Sequence, residues 1–146
     1  MEILPSLQTE RIESFKAGMT AAFAFIFIDL MMLVFNTYVL SAPEEQFSYL
    51  QVAWEIKLLI RVGIAWLSGF LFGVTYRYII RGDRNSHLKD GAVLAFGLVR
   101  GLALLEETGI FWSGSIMLFE SIICFGMARL TLDLALRYKL IKPFLM

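Results

Sequence analysis

Three ionisable residues stand inside otherwise apolar runs: Asp29 in "FAFIFIDLMMLVF", Arg100 in "GAVLAFGLVRGLALLE" and Glu120 in "SIMLFESIICF". Two carboxylates and one guanidinium support two kinds of chemistry. They can pass protons or ions through an apolar layer, or they can neutralise one another as a fixed polar clamp. A guanidinium offers five N–H donors, so one arginine can serve two acids. A charge left at the centre of a membrane costs about 2.5–3.5 kcal/mol on an insertion scale, so mutual pairing is expected. Arg100 is therefore expected to join Asp29, Glu120 or both. With no histidine or lysine beside them in the apolar runs, the set reads first as a clamp and second as a relay.

Signatures of enzymatic chemistry are missing from the sequence. The single histidine, His87, lies in the polar stretch "RNSHLKD". One histidine builds neither an HExxH pair nor a three-histidine zinc site. No nucleophile elbow and no glycine-rich phosphate loop is visible. The single cysteine, Cys124, excludes an internal disulfide and a cysteine-based zinc cluster, and it reads as a small buried side chain. A non-enzymatic protein with no cofactor and no metal is expected. Glu120 or Asn36 as a magnesium ligand of a pigment is a remote third use.

Composition says where these residues must be held. Of 146 residues, 58% are hydrophobic and 18% charged, and mean hydropathy is +0.70. Soluble domains hold about 45–50% apolar and about 25% charged residues. Thirteen basic and thirteen acidic residues cancel, which argues against nucleic acid as a partner. The lipid bilayer is the expected surrounding.

A helix crosses the hydrocarbon core with roughly 20 apolar residues. Spans are expected at about 17–40, 58–80, 90–106 and 110–132. The last should extend as a charged helix to about residue 140. A polar segment, 1–16, precedes this 17–140 domain, and a short tail, 141–146, follows it. The first apolar run is too long for a signal-peptide core and reads as a retained helix. No run alternates with period two, which excludes barrel strands. The fold class is all-α: a membrane four-helix bundle made of two helical hairpins.

Charge sets the expected orientation. Arg11, Lys16, Arg77, Arg81, Arg84, Lys89, Arg137, Lys139 and Lys142 flank one set of ends. Glu44, Glu45, Glu55, Glu106 and Glu107 flank the other, with only Lys57 against them. Basic flanks stay on the cytoplasmic side, so both termini are expected there. Tyr38, Tyr49, Trp54 and Trp112 would then lie at the outer interface, and Tyr76, Tyr78 and Tyr138 at the inner one.

Small residues suggest how the helices meet. Gly97 and Gly101 flank Arg100, and Ala65, Gly69 and Gly73 repeat the same spacing in the second span. Such seams let backbones approach closely. They are expected to pack the second helix on the third, in preference to forming a homodimer. Arg61 is expected to snorkel outward to Glu55, Glu106 or Glu107. Arg129, Asp133 and Arg137 are expected to form one solvated face of i,i+4 pairs. "FKAGMTAAF" and "LKDGAVLAF", with "FG" recurring at Phe72 and Phe125, hint at a duplicated hairpin. The loop residues Arg77, Arg81, Arg84, His87 and Lys89 offer a basic inner face for anionic headgroups or an acidic partner.

The segment "YRYIIRGDRNSHLKDGAVLAFGLVRGLALLE", residues 76–106, resembles small, poorly characterised multi-pass thylakoid membrane proteins of cyanobacteria with relatives in chloroplasts. The rest of the chain agrees with them in size and hydropathy. The resemblance implies a multi-pass thylakoid protein with no assigned enzyme activity, and it carries over no site residues. Without it, a bacterial inner membrane is the expected place. Together these observations lead to an accessory or assembly factor of a larger, photosynthetic membrane complex. The alternatives are a small transporter or channel using Asp29, Arg100 and Glu120, and a pigment- or quinone-binding subunit.

Overall fold

The structure, a computed structural model, describes residues 7–39, 51–80, 85–108 and 111–144, without the side chains of 39, 51–54, 107–108 and 113. Arg81, Asp83, Arg84, Glu44, Glu45, Tyr49 and the side chains of Trp54 and Glu107 lie outside the described residues. Four helices follow one another: α1 (Leu7–Val39), α2 (Gln51–Ile80), α3 (Ser86–Thr108) and α4 (Phe111–Arg137). The described proline, Pro143, follows the end of α4, which avoids the lost N–H and ring clash of an interior proline. Asn85 opens α3 as its cap, its Oδ1 accepting from the His87 N–H at 3.0 Å.

Helix α1 begins at Leu7, so residues 7–16 are its first turns and not a separate polar segment. The far end of α4 closes in a Schellman turn. Leu140 N–H bonds the Ala135 carbonyl at 2.9 Å, and Lys139 N–H bonds Leu136 at 3.1 Å. Lys139 holds the left-handed position at φ 57°, where glycine is usual. The turn throws the chain back over the bundle, where Ile141 is buried.

The helices form two antiparallel hairpins, α1 with α2 and α3 with α4, joined mainly through α1 against α4. Helices α2 and α3 touch far less. Glycines decide both intimate contacts. A Cβ at Gly69 would stand 2.8 Å from the Ala22 backbone, and one at Gly73 would strike the Ala17 carbonyl. A Cβ at Gly97 would reach Ile122 at 2.9 Å, and one at Gly101 would reach Leu118 at 2.8 Å. The expected α2–α3 seam is therefore wrong. Each pair of glycines is consumed inside its own hairpin, where the missing side chains let the two backbones approach closely.

One phenylalanine from each helix meets at the centre. Phe25 lies 4.7 Å from Phe125 between ring centroids, Phe72 lies 5.2 Å from Phe125, and Phe96 lies 5.4 Å from Phe72. Such tilted and edge-on pairs are favoured by the ring quadrupole. The matched glycines of the suggested duplication do not share a role, since Gly18 packs on Phe70 while Gly91 faces open space.

The periphery is apolar. Phe23, Phe27, Leu59, Val99 and Phe119 are each more than half exposed. Helices α1, α2 and α4 are long and apolar enough to cross a membrane. Helix α3 falls outside that group, since Lys89, Asp90, Arg100 and Glu106 interrupt it. A lipid-facing surface explains an apolar periphery of this extent.

Candidate functional site

The helices carry four charged groups to one place in the half of the bundle away from the termini. Asp29 is buried on α1. Its Oδ2 accepts from Arg61 Nε of α2 at 2.9 Å. Its Oδ1 accepts from Arg100 of α3, at 3.4 Å from Nη2 and 3.5 Å from Nη1. The Arg100 guanidinium also lies 4.8 Å from the centre of the Phe25 ring, a cation–π contact. On α4, Glu120 Oε1 accepts from Asn36 Nδ2 of α1 at 2.6 Å.

The expected pairing of Arg100 with Asp29 is thus present. Among the described contacts Glu120 takes Asn36 and not Arg100. Arg61 turns inward to Asp29, contrary to the snorkelling expectation. A buried acid gains more from a guanidinium than an exposed carboxylate does, because less water competes for it.

These groups surround a cavity of about 80 Å³, lined by Asp29, Asn36, Arg61, Arg100, Glu120 and Ser121. Asn36 Oδ1, Arg100 Nε and Ser121 Oγ are buried without a hydrogen-bond partner among the described residues. The volume accommodates at least two waters of roughly 30 Å³ each, and polar walls supply their partners. Next to it, separated only by shared walls at Arg61, Arg100, Leu104 and Met117, a larger cleft of about 730 Å³ opens between α2 and α3. Its rim carries Lys57. Small-molecule sites span about 300–1,000 Å³, so its size suits a ligand.

A second polar network ties the termini end. Arg77 is buried on α2 and donates to Glu10 Oε2 at 2.5 Å, Ser14 Oγ at 2.7 Å and the Lys142 carbonyl at 2.9 Å. Lys142 N–H in turn donates to Glu13 Oε2 at 2.9 Å. Arg77 is thus a buried brace and not a residue of an exposed loop. Lys89 donates to Asp133 Oδ1 at 3.0 Å, and Tyr76 OH donates to the same oxygen at 2.8 Å. Arg129 pairs with Asp90 across the hairpin. Asp133 and Arg129 therefore hold α4 to α2 and α3, where a solvated face was expected. Tyr76 is buried, while Tyr138 and Trp112 are exposed as interfacial rings would be. Of the basic inner-face set, His87 is exposed and Lys89 is half-buried.

Among the described residues no group of three or more histidine, cysteine or carboxylate side chains could hold a metal ion. Cys124 is buried at the core, as its sequence context suggested. No known protein family, no curated protein and no solved structure matches the chain.

Sequence reasoning overlooked Arg61, Arg77 and Asn36 as parts of these networks. The antiparallel glycine register carried a usable signal. Two four-residue steps from Gly69 towards the 40–50 connection reach Arg61, and the same steps from Ala21 reach Asp29.

Proposed function

We propose that the chain is a non-enzymatic, multi-pass membrane protein that acts by binding, as an accessory or assembly factor of a larger membrane complex. All four helices cross the bilayer in this reading. At 23 residues α3 is about 35 Å long, enough for a hydrocarbon core of about 30 Å. Its central charge is turned to Asp29, which removes the main objection to its crossing. Lys16, Lys89, Arg137, Lys139 and Lys142 gather at the end that holds both termini, and the preference of basic flanks for the cytoplasm puts that end inside. The resemblance of residues 76–106 to thylakoid proteins supports a thylakoid location and a photosynthetic partner complex.

The observation that carries the reading is the cleft on the α2–α3 flank. Among the described residues this flank offers both shape and charge for recognition inside the membrane. The test is gentle solubilisation of the source membrane, a native gel, and affinity capture with mass spectrometry. The protein is expected far above its own 16.6 kDa, with the same partners recovered repeatedly. Migration as a lone chain in every mild detergent would overturn the accessory role.

The polar cavity between the helices favours a second reading, a small transporter or channel that uses Asp29, Arg100 and Glu120. Reconstituted alone, such a protein moves ions, and Arg100→Leu abolishes flux while the helix content stays unchanged. Homodimer formation through the GxxxG seams finds no support, since those glycines already face neighbouring helices of the same chain.

A further inference from the structure

We infer that the α2–α3 cleft is a binding site for an anionic membrane lipid, with the headgroup at Lys57 and Arg61 and an acyl chain along Ile60, Ile64 and Ala103. This rests on the reading of the chain as a membrane-spanning binding protein, and it names the ligand of the cleft.

Charge is the first argument. Among the described residues the cleft is lined by Lys57, Arg61 and Arg100 and by no carboxylate. Asp29 lies behind the two arginines and occupies part of their donor capacity. Arg100 Nε remains buried without a partner among the described residues, and Lys57 forms no ion pair with any described side chain. Several guanidinium and ammonium donors converging on one opening suit a phosphate or sulfonate, whose oxygens accept from several donors at once.

Depth is the second argument. Lys57 and Arg77 lie on the same helix, twenty residues apart, which is about 30 Å of rise. That distance equals the thickness of a hydrocarbon core. With the polar network of Arg77 at one interface, Lys57 falls at the other, where headgroups reside. Arg61 lies one turn deeper, about 6 Å, within reach of the same phosphate.

Shape is the third argument. Helices α2 and α3 touch little, and the cleft between them is open rather than enclosed. Its walls between and beside the cations are apolar: Ile60, Ile64, Ala103, Leu104 and Met117. A water-soluble phosphate would have no use for such walls, whereas a lipid uses both halves of the site. The occupant is thus an anionic diacyl lipid.

The test uses the full chain, delipidated in detergent and titrated by native mass spectrometry with phosphatidylglycerol and phosphatidylcholine of identical chains. Phosphatidylglycerol is expected to bind at least about fivefold more tightly, the effect of one cation at a membrane surface. Lys57→Gln should reduce that preference about fivefold, and Ala103→Trp should block the first lipid altogether. Lys139→Gln, at the opposite end, should change neither. Lys57 lies outside the Asp29 contacts, so its variant retains the fold, checked by circular dichroism. Equal binding of the two lipids overturns the inference. So does a preference that survives both Lys57→Gln and Ala103→Trp, and so does equal binding of free glycerol phosphate. A chain that comigrates with a complex but shows no lipid preference sinks this inference alone. A chain that prefers the anionic lipid but migrates alone sinks the accessory role alone.

Discussion

Arg61 grips Asp29 more closely than Arg100 does, at 2.9 Å from Nε to Oδ2 against 3.4 Å from Arg100 Nη2 to Oδ1. The pair lies within the first hairpin, and Arg100 joins it from the second. Asp29 is thus the hub, and the two arginines are not equivalent spokes.

Asp29→Asn should be the most damaging change in this cluster. It leaves two guanidiniums facing a neutral amide, and breaking such a buried pair costs about 3–5 kcal/mol. Arg61→Gln should cost less, since a third of its side chain is exposed. The double variant should be more stable than the sum of the single losses. Thermal unfolding in detergent completes this cycle, and strict additivity would refute the coupling.

Glycine substitutions should divide sharply by position. Gly73→Ala drives a methyl group into the Ala17 carbonyl, a backbone atom that cannot yield, and should destabilise by about 2 kcal/mol or more. Gly126→Ala meets nothing within 4 Å and should be neutral, or stabilise by up to about 1 kcal/mol through helix propensity. Melting temperatures of the two variants check the contrast. Equal behaviour would mean that α1 and α2 do not pack through this seam.

Lys139→Gly should stabilise the chain by about 1 kcal/mol, because the lysine Cβ is strained in a left-handed position that glycine adopts freely. Denaturant or thermal titration reads the gain. A loss instead would show that Lys139 contributes a contact worth more than the backbone relief.

Arg77→Leu should release the C-terminal segment. Arg77 bonds the Lys142 carbonyl, and Lys142 bonds Glu13, so the brace and the tail share one network. Limited tryptic proteolysis after Lys139 should accelerate severalfold in the variant. An unchanged cutting rate would mean that Ile141 burial alone anchors the tail.

Cys124 should resist maleimide in the folded protein and react fully once denatured. Only 1% of the residue is accessible, so the reagent cannot reach the sulfur while the bundle is folded. Rapid labelling under native conditions would contradict the packing of α4 against the core.

Much of this architecture was legible in the chain itself. Four apolar runs gave four helices in two hairpins, because apolar length and short polar connections are read directly from residue types. The link between Arg100 and Asp29 was also legible, since isolated charges in apolar runs have few partners to choose from. Pairings that depend on helix rotation were harder. Glycine spacing announced close packing at Gly69, Gly73, Gly97 and Gly101 without saying which helix would approach. Arg61 and Arg77 sit near helix ends, where snorkelling and burial are equally compatible with sequence. Their inward turn follows from which face the glycines bring against α1. Arg129 and Asp133 form the i,i+4 pair that their spacing suggested, at 3.7 Å, yet the neighbouring helices recruit both.

Asp29 and Arg61 belong to consecutive helices, and that bears on biogenesis. A chain made from its N-terminus holds both residues before α3 has been synthesised. The nascent first hairpin can pass from the insertion machinery into lipid as an electrically balanced unit. Arg100 arrives afterwards, and its contact with Asp29 adds a charge pair to the apolar packing between the two halves.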